Sequence, residues 1–362
     1  MSEQSQLPTY QVFIHPNDYK ELRSDIWCED PVAGYLKMNK KKWDIDIVYR
    51  GSHTRKFKKK SFHIAFFQPK LFLGAKEIHL NAEYKDPSLM RNKLSFDFFR
   101  SIGVLAPESR HVILNINGKT EGVYLQIESV DENFFQKRNY PLGAIFYAVD
   151  GDANFSLLSD LDNDVKESLD LGYEMKVGNQ EDLGHLQELI YKINTLSRVE
   201  FEENIHKYVN VNQYLRWLAG VIFTQNYDGF VHNYSLIRNA STGQFEVSPW
   251  DYDGTWGRDV NGKVMEYDYV RIEGFNTLTA RILDIPSFRM EYRSLLESIL
   301  ESEYTVERLQ PQIMNLYHSL RPYILKDPYK QQQLSQFDQE PEFILDFIKE
   351  RSKYIYEKLR DL

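Results

Sequence analysis

Apolar residues in the first third of the chain fall into short strand-like runs, whereas beyond residue 180 they recur at helical spacing. Residues 10–15, 45–50 and 61–67 alternate or run apolar over stretches too short for a helix, and 77–80 is a weaker strand. One helix interrupts them at 88–102, where Leu89, Asn92, Leu94, Phe98, Phe99 and Ile102 mark one face and Gly103 ends it. Two more strands, 112–115 and 122–128, flank Asn117-Gly118, the strongest short hairpin signal a sequence offers. Ser129-Val-Asp-Glu132 then opens a further helix. An acidic, loop-rich stretch at 150–170 leads into helices at 183–194, 200–208 and 211–224, and the tail is helical again at 286–300, 305–325 and 341–359. The pattern predicts an α+β chain of two lobes with a crevice between them: a strand-rich lobe over 1–128 and a helical lobe over 129–362. A chain of 362 residues can bury a core in each.

Charge and cysteine content narrow the function. The formal charge of −9 argues against general nucleic-acid binding and suits a basic protein partner. No apolar run approaches the roughly 20 residues that cross a bilayer. The sequence opening MSEQSQLPTYQVF does not read as a secretory signal, so synthesis in a reducing cytosol is expected. The single cysteine, Cys28, excludes an intrachain disulfide and reads as a packing residue. His53, His63, His79 and His232 lack ligand spacing and read as structural.

The stretch most informative about chemistry runs from Asn226 to Gly254. An apolar helix carrying Tyr214, Leu215, Trp217, Leu218, Val221 and Ile222 delivers the chain to a loop that holds Asp228 and, five residues on, Asn233. A short strand, a Ser-Thr-Gly turn and a second strand follow, and Asp251 and Asp253 come directly after. A hairpin returns its ends side by side, so Asp228, Asn233 and Asp251 are expected to meet. One amide and two or three carboxylates make a hard oxygen site that suits Mg2+. The order matches the phosphoryl-transfer machinery of protein kinases: a base Asp, an Asn on the metal, a hairpin and a second metal Asp.

These motifs resemble the CotH family of spore-coat kinases along nearly the whole chain. The resemblance rests on Tyr49-Arg-Gly-Ser52, Phe57-Lys-Lys-Lys-Ser-Phe62, the run from Leu80 to Lys93, Asn117-Gly-Lys-Thr-Glu-Gly-Val-Tyr124, and the two Asp motifs. It implies an atypical protein-kinase-like fold, ATP with Mg2+ or Mn2+, and serine phosphorylation of basic, Ser-rich spore coat proteins. It also implies a history in the mother-cell cytoplasm and then the spore coat. On the same resemblance Asp228 is the base and Asp251 a metal ligand, with Asn233 and Asp253 beside it. The chain departs from ordinary protein kinases in lacking a Gly-x-Gly-x-x-Gly loop, Val-Ala-Ile-Lys, His-Arg-Asp and Asp-Phe-Gly. Asn226-Tyr-Asp228 and Asp251-Tyr-Asp-Gly254 stand in the last two places.

Without a glycine loop, the ATP contacts must come from elsewhere in the strand-rich lobe. Arg50 and Ser52 flank a Gly turn, and Lys59 or Lys60 opens the next strand, Lys59 being preferred. Arg91 is placed for a bidentate contact with phosphate or carboxylate, or for an ordinary surface ion pair. Glu83 or Glu128 is expected to orient the lysine, Ser129 falls where the adenine hinge should be, and Trp250 is either a wall of the adenine pocket or a core residue. Two other readings of the same residues stay open: transfer of AMP, and a coat scaffold with a vestigial site.

Overall fold

The computed structural model describes residues 6–362. The chain folds as two compact units, and neither is one run of sequence. The first comprises the chain up to Lys93 together with Glu108–Ser129 and Pro311–Glu342; the second comprises Leu94–Pro107, Val130–Gln310 and Phe343–Leu362. The strand-rich part ends at Ser129, next to the expected boundary. Two segments nevertheless depart from a single cut: 94–107 joins the second unit and 311–342 returns to the first.

Seven strands make the first unit: β1 (Thr9–Ile14), β2 (Val32–Met38), β3 (Lys41–Arg50), β4 (Ser61–Phe66), β5 (Glu77–Asn81), β6 (Ser109–Ile116) and β7 (Lys119–Glu128). They form a closed barrel in the order β1-β2-β3-β4-β5-β7-β6. Neighbours are antiparallel except β1 and β6, whose parallel pairing closes the ring. Alternation fills the interior. Trp43, Ile45, Ile47 and Tyr49 of β3 face inward with Phe62, Ile64 and Phe66 of β4, and the register sets Ile47 opposite Ile64. The β6–β7 hairpin turns at Asn117 and Gly118, both with positive φ (49° and 80°), as an Asn-Gly turn requires. The Asn117 amide also ties β1 by bonding both backbone groups of Ile14, at 2.9 and 3.0 Å.

Two elements of this unit have no clear sequence signal. Only Val32 and Leu36 are buried in β2, so its alternation is indistinct, and the helix Pro16–Ser24 buries Leu22 alone.

A buried ionic network joins the 311–342 segment to the barrel. The Asp327 carboxylate accepts the Val123 N–H at 2.8 Å, the Tyr329 N–H at 2.8 Å and the Lys330 N–H at 3.1 Å, and meets the Lys59 ammonium at 3.4 Å. Gly122, with φ +101°, lets the carboxylate this close, because a Cβ there would lie 2.2 Å from Asp327 Oδ2. Nearby, the fully buried Arg91 guanidinium bridges Asp86 at 2.6 Å and Glu340 at 2.7 Å. Asp86 also accepts the backbone N–H groups of Ser88 and Arg91. Burial would push the Asp86 carboxyl up, but Arg91 and these donors outweigh it and hold it below the usual range. Lys330 donates to the carbonyls of Tyr84 and Asp86, each at 2.8 Å.

The second unit carries a four-stranded antiparallel sheet ordered β11-β10-β8-β9, from β8 (Leu142–Ala148), β9 (Tyr173–Val177), β10 (Tyr234–Asn239) and β11 (Phe245–Pro249). Behind it runs the helix Val211–Thr224, buried along most of its length and packed on β11 and the helix Pro286–Ser302. The expected helices are present as Gln180–Thr195, Arg198–Asn204, Pro286–Ser302, Val306–Ile324 and Leu334–Lys358, and Thr277–Asp284 is an additional one. None among the described residues is long and apolar enough to cross a membrane. The architecture is mixed α+β, strand-rich toward the N-terminus and helical toward the C-terminus.

Burial, aided by neighbouring Lys59, pulls the Lys330 ammonium down to about 8 from its ordinary 10.5. Between these values the unfolded chain holds more protons, so the stability Lys330 contributes rises with pH across the window and is lost as pH falls through 8. Lys330→Met removes this dependence. The melting temperature of the unsubstituted protein, measured relative to the variant, should climb from about pH 8 to about pH 10. A flat difference would show that Lys330 is not held in this way.

Candidate active site

The loop that carries Asp228 is fixed by how the Val211–Thr224 helix ends. The last carbonyls of a helix need partners from outside it, and here each has one. Arg351 donates to Ile222 O twice, at 2.8 and 3.1 Å. The Tyr304 hydroxyl reaches Phe223 O at 2.8 Å, and the Trp256 N–H reaches Thr224 O at 2.9 Å. Gln225 then takes a left-handed conformation (φ 57°, ψ 51°), and the Asn226 N–H closes on Val221 O.

Asn226 is buried and joins the two Asp-bearing segments. Its Oδ1 accepts the Gly229 N–H at 3.1 Å, and its Nδ2 donates to Asp251 O at 3.4 Å. Asp228 begins a short 3-10 turn, half-exposed, with Oδ2 at 3.9 Å from His232 Nε2. The hairpin forms as expected: β10 and β11 pair from Tyr234–Pro249 to Arg238–Phe245, and the Trp250 N–H bonds Asn233 O at 2.9 Å. Asn233 and Asp251 therefore stand side by side at the open end of the hairpin. Both have positive φ, 60° and 57°, in the left-handed region where Asn and Asp are the most tolerated side chains after glycine.

Beyond Asp251, Tyr252 is fully buried with its ring edge-on to Phe99, and Trp256 is buried with its indole N–H on Ser95 at 2.9 Å. These anchors leave Asp251 exposed and Asp253 half-exposed. Among the described residues no three His, Cys, Asp or Glu side chains surround a common site. Like charges do not close up on each other without a cation between them.

The ATP candidates fare unevenly. Lys59 is sequestered: its side chain is fully buried against Asp327 and the Val123 carbonyl, which makes it a structural ion pair and not a phosphate contact. Arg91 takes its carboxylate alternative, not at the surface but fully buried, with its guanidinium on Asp86 and Glu340. Lys60 is half-buried with its ammonium on Arg55 O, Arg50 ends β3 bonded to Asn81, and Ser52 is exposed in the turn after it. Glu83 is buried and accepts from Asn92 at 3.1 Å, in a turn where both it and Leu89 have positive φ. Glu128 accepts the Glu108 N–H, and Ser129 donates to Glu77 at 2.6 Å, where the first unit ends. Trp250, half-buried, stacks on Tyr147 and packs against the cluster of Phe134, Phe135 and Ile237.

Sequence reasoning named Asn226 only as the start of its motif, not as a clamp, and read His232 as structural without its place beside Asp228. The four-residue spacing of Asp228 and His232 was a usable signal, but nothing local marks Asn226 as a clamp.

With this geometry in view, the chain belongs to the CotH family: the family model described as CotH kinase protein matches residues 47–355. It is 58% identical over 359 residues to the inner spore coat protein H of Bacillus subtilis (strain 168), covering 99% of each chain. It is 30% identical over 304 residues to the inner spore coat protein H-like protein of the same strain, covering 84% of this chain and 87% of that one. Among solved structures, the Helicobacter pylori proinflammatory kinase CtkA matches at 10% identity over 81% of this chain and 95% of its own, with a TM-score of 0.30, too low to bear on the fold.

Two substitutions check this arrangement. Lys59→Ala strands the buried Asp327 carboxylate and should cost about 3–5 kcal/mol of stability, whereas Lys60→Ala should cost under about 1 kcal/mol. Equal, mild losses by chemical denaturation would return Lys59 to the list of ligand contacts. Asn226→Ala orphans the buried Gly229 N–H and should cost about 1–3 kcal/mol. Hydrogen exchange at the Gly229 amide should accelerate with it, and an unchanged rate would deny Asn226 its role as the clamp.

Proposed function

We propose that this chain is an Mg-ATP-dependent protein kinase with a kinase-like fold. On this reading it phosphorylates serines of basic spore coat proteins in the mother-cell cytoplasm before joining the coat. The observation that carries the reading is the coupling of Asp228 to Asp251 through Asn226, at the base of a hairpin that sets Asn233 beside Asp251. Membership in a family described as kinase supports it, as does the kinase-like order of base, amide, hairpin and carboxylate.

Each residue then has a role. Asp228, half-exposed and tethered through its backbone, accepts the proton of the attacking serine hydroxyl. Asn233, Asp251 and Asp253 supply hard oxygen donors. Mg2+ fits such a set, since it takes only one or two carboxylates and leaves its other positions to water and phosphate. When bound, the ion neutralises charge on the transferring phosphoryl group. With Lys59 and Arg91 committed to internal ion pairs, Arg50, Ser52 and Lys60 are the remaining candidates for the ATP phosphates.

The test is incubation with γ-labelled ATP, Mg2+ and a basic Ser-rich polypeptide. Intact-mass measurement separates a phosphoryl from an adenylyl adduct. Asp228→Asn keeps shape and one acceptor oxygen but cannot take the proton, so transfer should fall by about 10²–10⁴, or about 3–5 kcal/mol of barrier. Nucleotide affinity, measured calorimetrically on the same variant, should hold. Transfer at the unsubstituted rate would remove Asp228 as base, and weakened nucleotide binding would make it a metal ligand.

A further inference from the structure

A pocket of about 360 Å3 opens against Asp228, and all of its lining belongs to the second unit. Tyr227 and Asp228 contribute from the loop; Asp259, Val260, Val264, Glu266 and Tyr269 contribute from the segment that follows Gly254. Nothing in the proposed chemistry of phosphoryl transfer uses this second group of residues.

The lining combines two features. The first is exposed aromatic and aliphatic surface: Tyr227 is 47% exposed, Tyr269 59% and Val264 63%, although large apolar side chains normally bury themselves. The two tyrosine rings lie 5.5 Å apart. The second is uncompensated negative charge. Among the described residues no Lys or Arg side chain forms an ion pair with Asp228, Asp259 or Glu266, and the His232 ring lies 3.9 Å from Asp228. Asp259 is held in place by the backbone N–H groups of Asn261 and Lys263, at 2.9 and 2.8 Å, both on the same oxygen. The Glu266 backbone is fixed by Gln225, whose side-chain amide donates to its carbonyl at 2.9 Å. The segment is thus tied to the residue that launches the Asp228 loop.

Tyrosine faces beside carboxylates attract cations through the ring quadrupole as well as through charge. A long cationic side chain also lays its methylene stem on apolar surface while its head stays polar. Val260 and Val264 suit the stem; Asp259 and Glu266 suit the head. An acidic residue would be repelled by three carboxylates, and an uncharged one would leave them unanswered.

We propose that this pocket holds a Lys or Arg side chain of the acceptor polypeptide, close in sequence to the serine presented to Asp228, and that Asp259, Glu266, Tyr227 and Tyr269 determine that preference. Because Asp228 forms part of the pocket wall, the cation and the acceptor serine lie within a few residues of each other, at about 3.3–3.6 Å per extended residue. The inference rests on the kinase reading for its choice of polypeptide, but not for its chemistry.

Two serine peptides, identical except for Lys or norleucine beside the serine, separate the possibilities. Binding is measured by fluorescence anisotropy without nucleotide, and transfer is measured separately with γ-labelled ATP. The unsubstituted protein should bind the Lys peptide about tenfold more tightly, equivalent to about 1.4 kcal/mol. Glu266→Gln, at an exposed position, and Tyr269→Ala should each bring the ratio of the two affinities toward one, with thermal melts as folding controls. No discrimination by the unsubstituted protein, or a ratio untouched by both variants, overturns the proposal. Discrimination without any transfer would leave the pocket standing and sink the kinase reading; transfer without discrimination would do the reverse.

Discussion

A carboxylate removed from water must be met by donors on every side, and Asp327 imposes that requirement on the whole first unit. Its partners are three backbone N–H groups and one ammonium, and two of these partners, Val123 and Lys59, come from the barrel more than 200 residues earlier in the chain. Gly122 exists to let the carboxylate in. Once Asp327 is seated, Lys330 is placed on the carbonyls of Tyr84 and Asp86, and Asp86 in turn orders the start of the helix Arg91–Ser101. The basic run at 55–60 and the Asp-Pro-Ser-Leu-Met-Arg-Asn segment, which look like ligand-binding motifs, are in good part devices for folding.

What could be read from the sequence follows the range of the interactions involved. The Asn117-Gly118 hairpin, the β10–β11 hairpin and the buried helix before Asp228 all announce themselves within a dozen residues, and the structure has each of them. The relation of Asn233 to Asp251 was legible for the same reason, since a hairpin is a local object. The internal pairing of Lys59, and which carboxylates Arg91 would meet, could not be read because Asp327 and Glu340 lie 268 and 249 positions away. No local pattern separates a cation awaiting a ligand from one already paired inside the fold. The barrel strand β2 escaped notice because only two of its residues are buried.

The candidate site shows the opposite economy. Gln225, Asn233, Asp251 and Trp256 all hold positive φ within about thirty residues. Such conformations persist only where the surroundings over-determine them. Here the surroundings are the capped end of the Val211–Thr224 helix and the buried rings of Tyr252 and Trp256. Rigid anchors on both sides hold a short, strained and polar stretch between them. That division of labour keeps oxygen donors in fixed positions without burying them.

The discontinuity of the first unit also bears on the order in which the protein can be made. A ribosome releases the chain from its N-terminus, and most domains fold as they emerge. The seven barrel strands are complete once Glu128 is out, yet Lys59 and Arg91 then sit in an interior that still lacks Asp327 and Glu340. Until residues 311–342 arrive, the Lys59 ammonium lacks Asp327 and the Arg91 guanidinium keeps Asp86 without Glu340, a state that favours solvent over closure. Maturation of the first unit is therefore timed by synthesis of its own last segment, 311–342, and a chain interrupted before residue 327 would own every strand of the barrel without the Asp327 and Glu340 carboxylates.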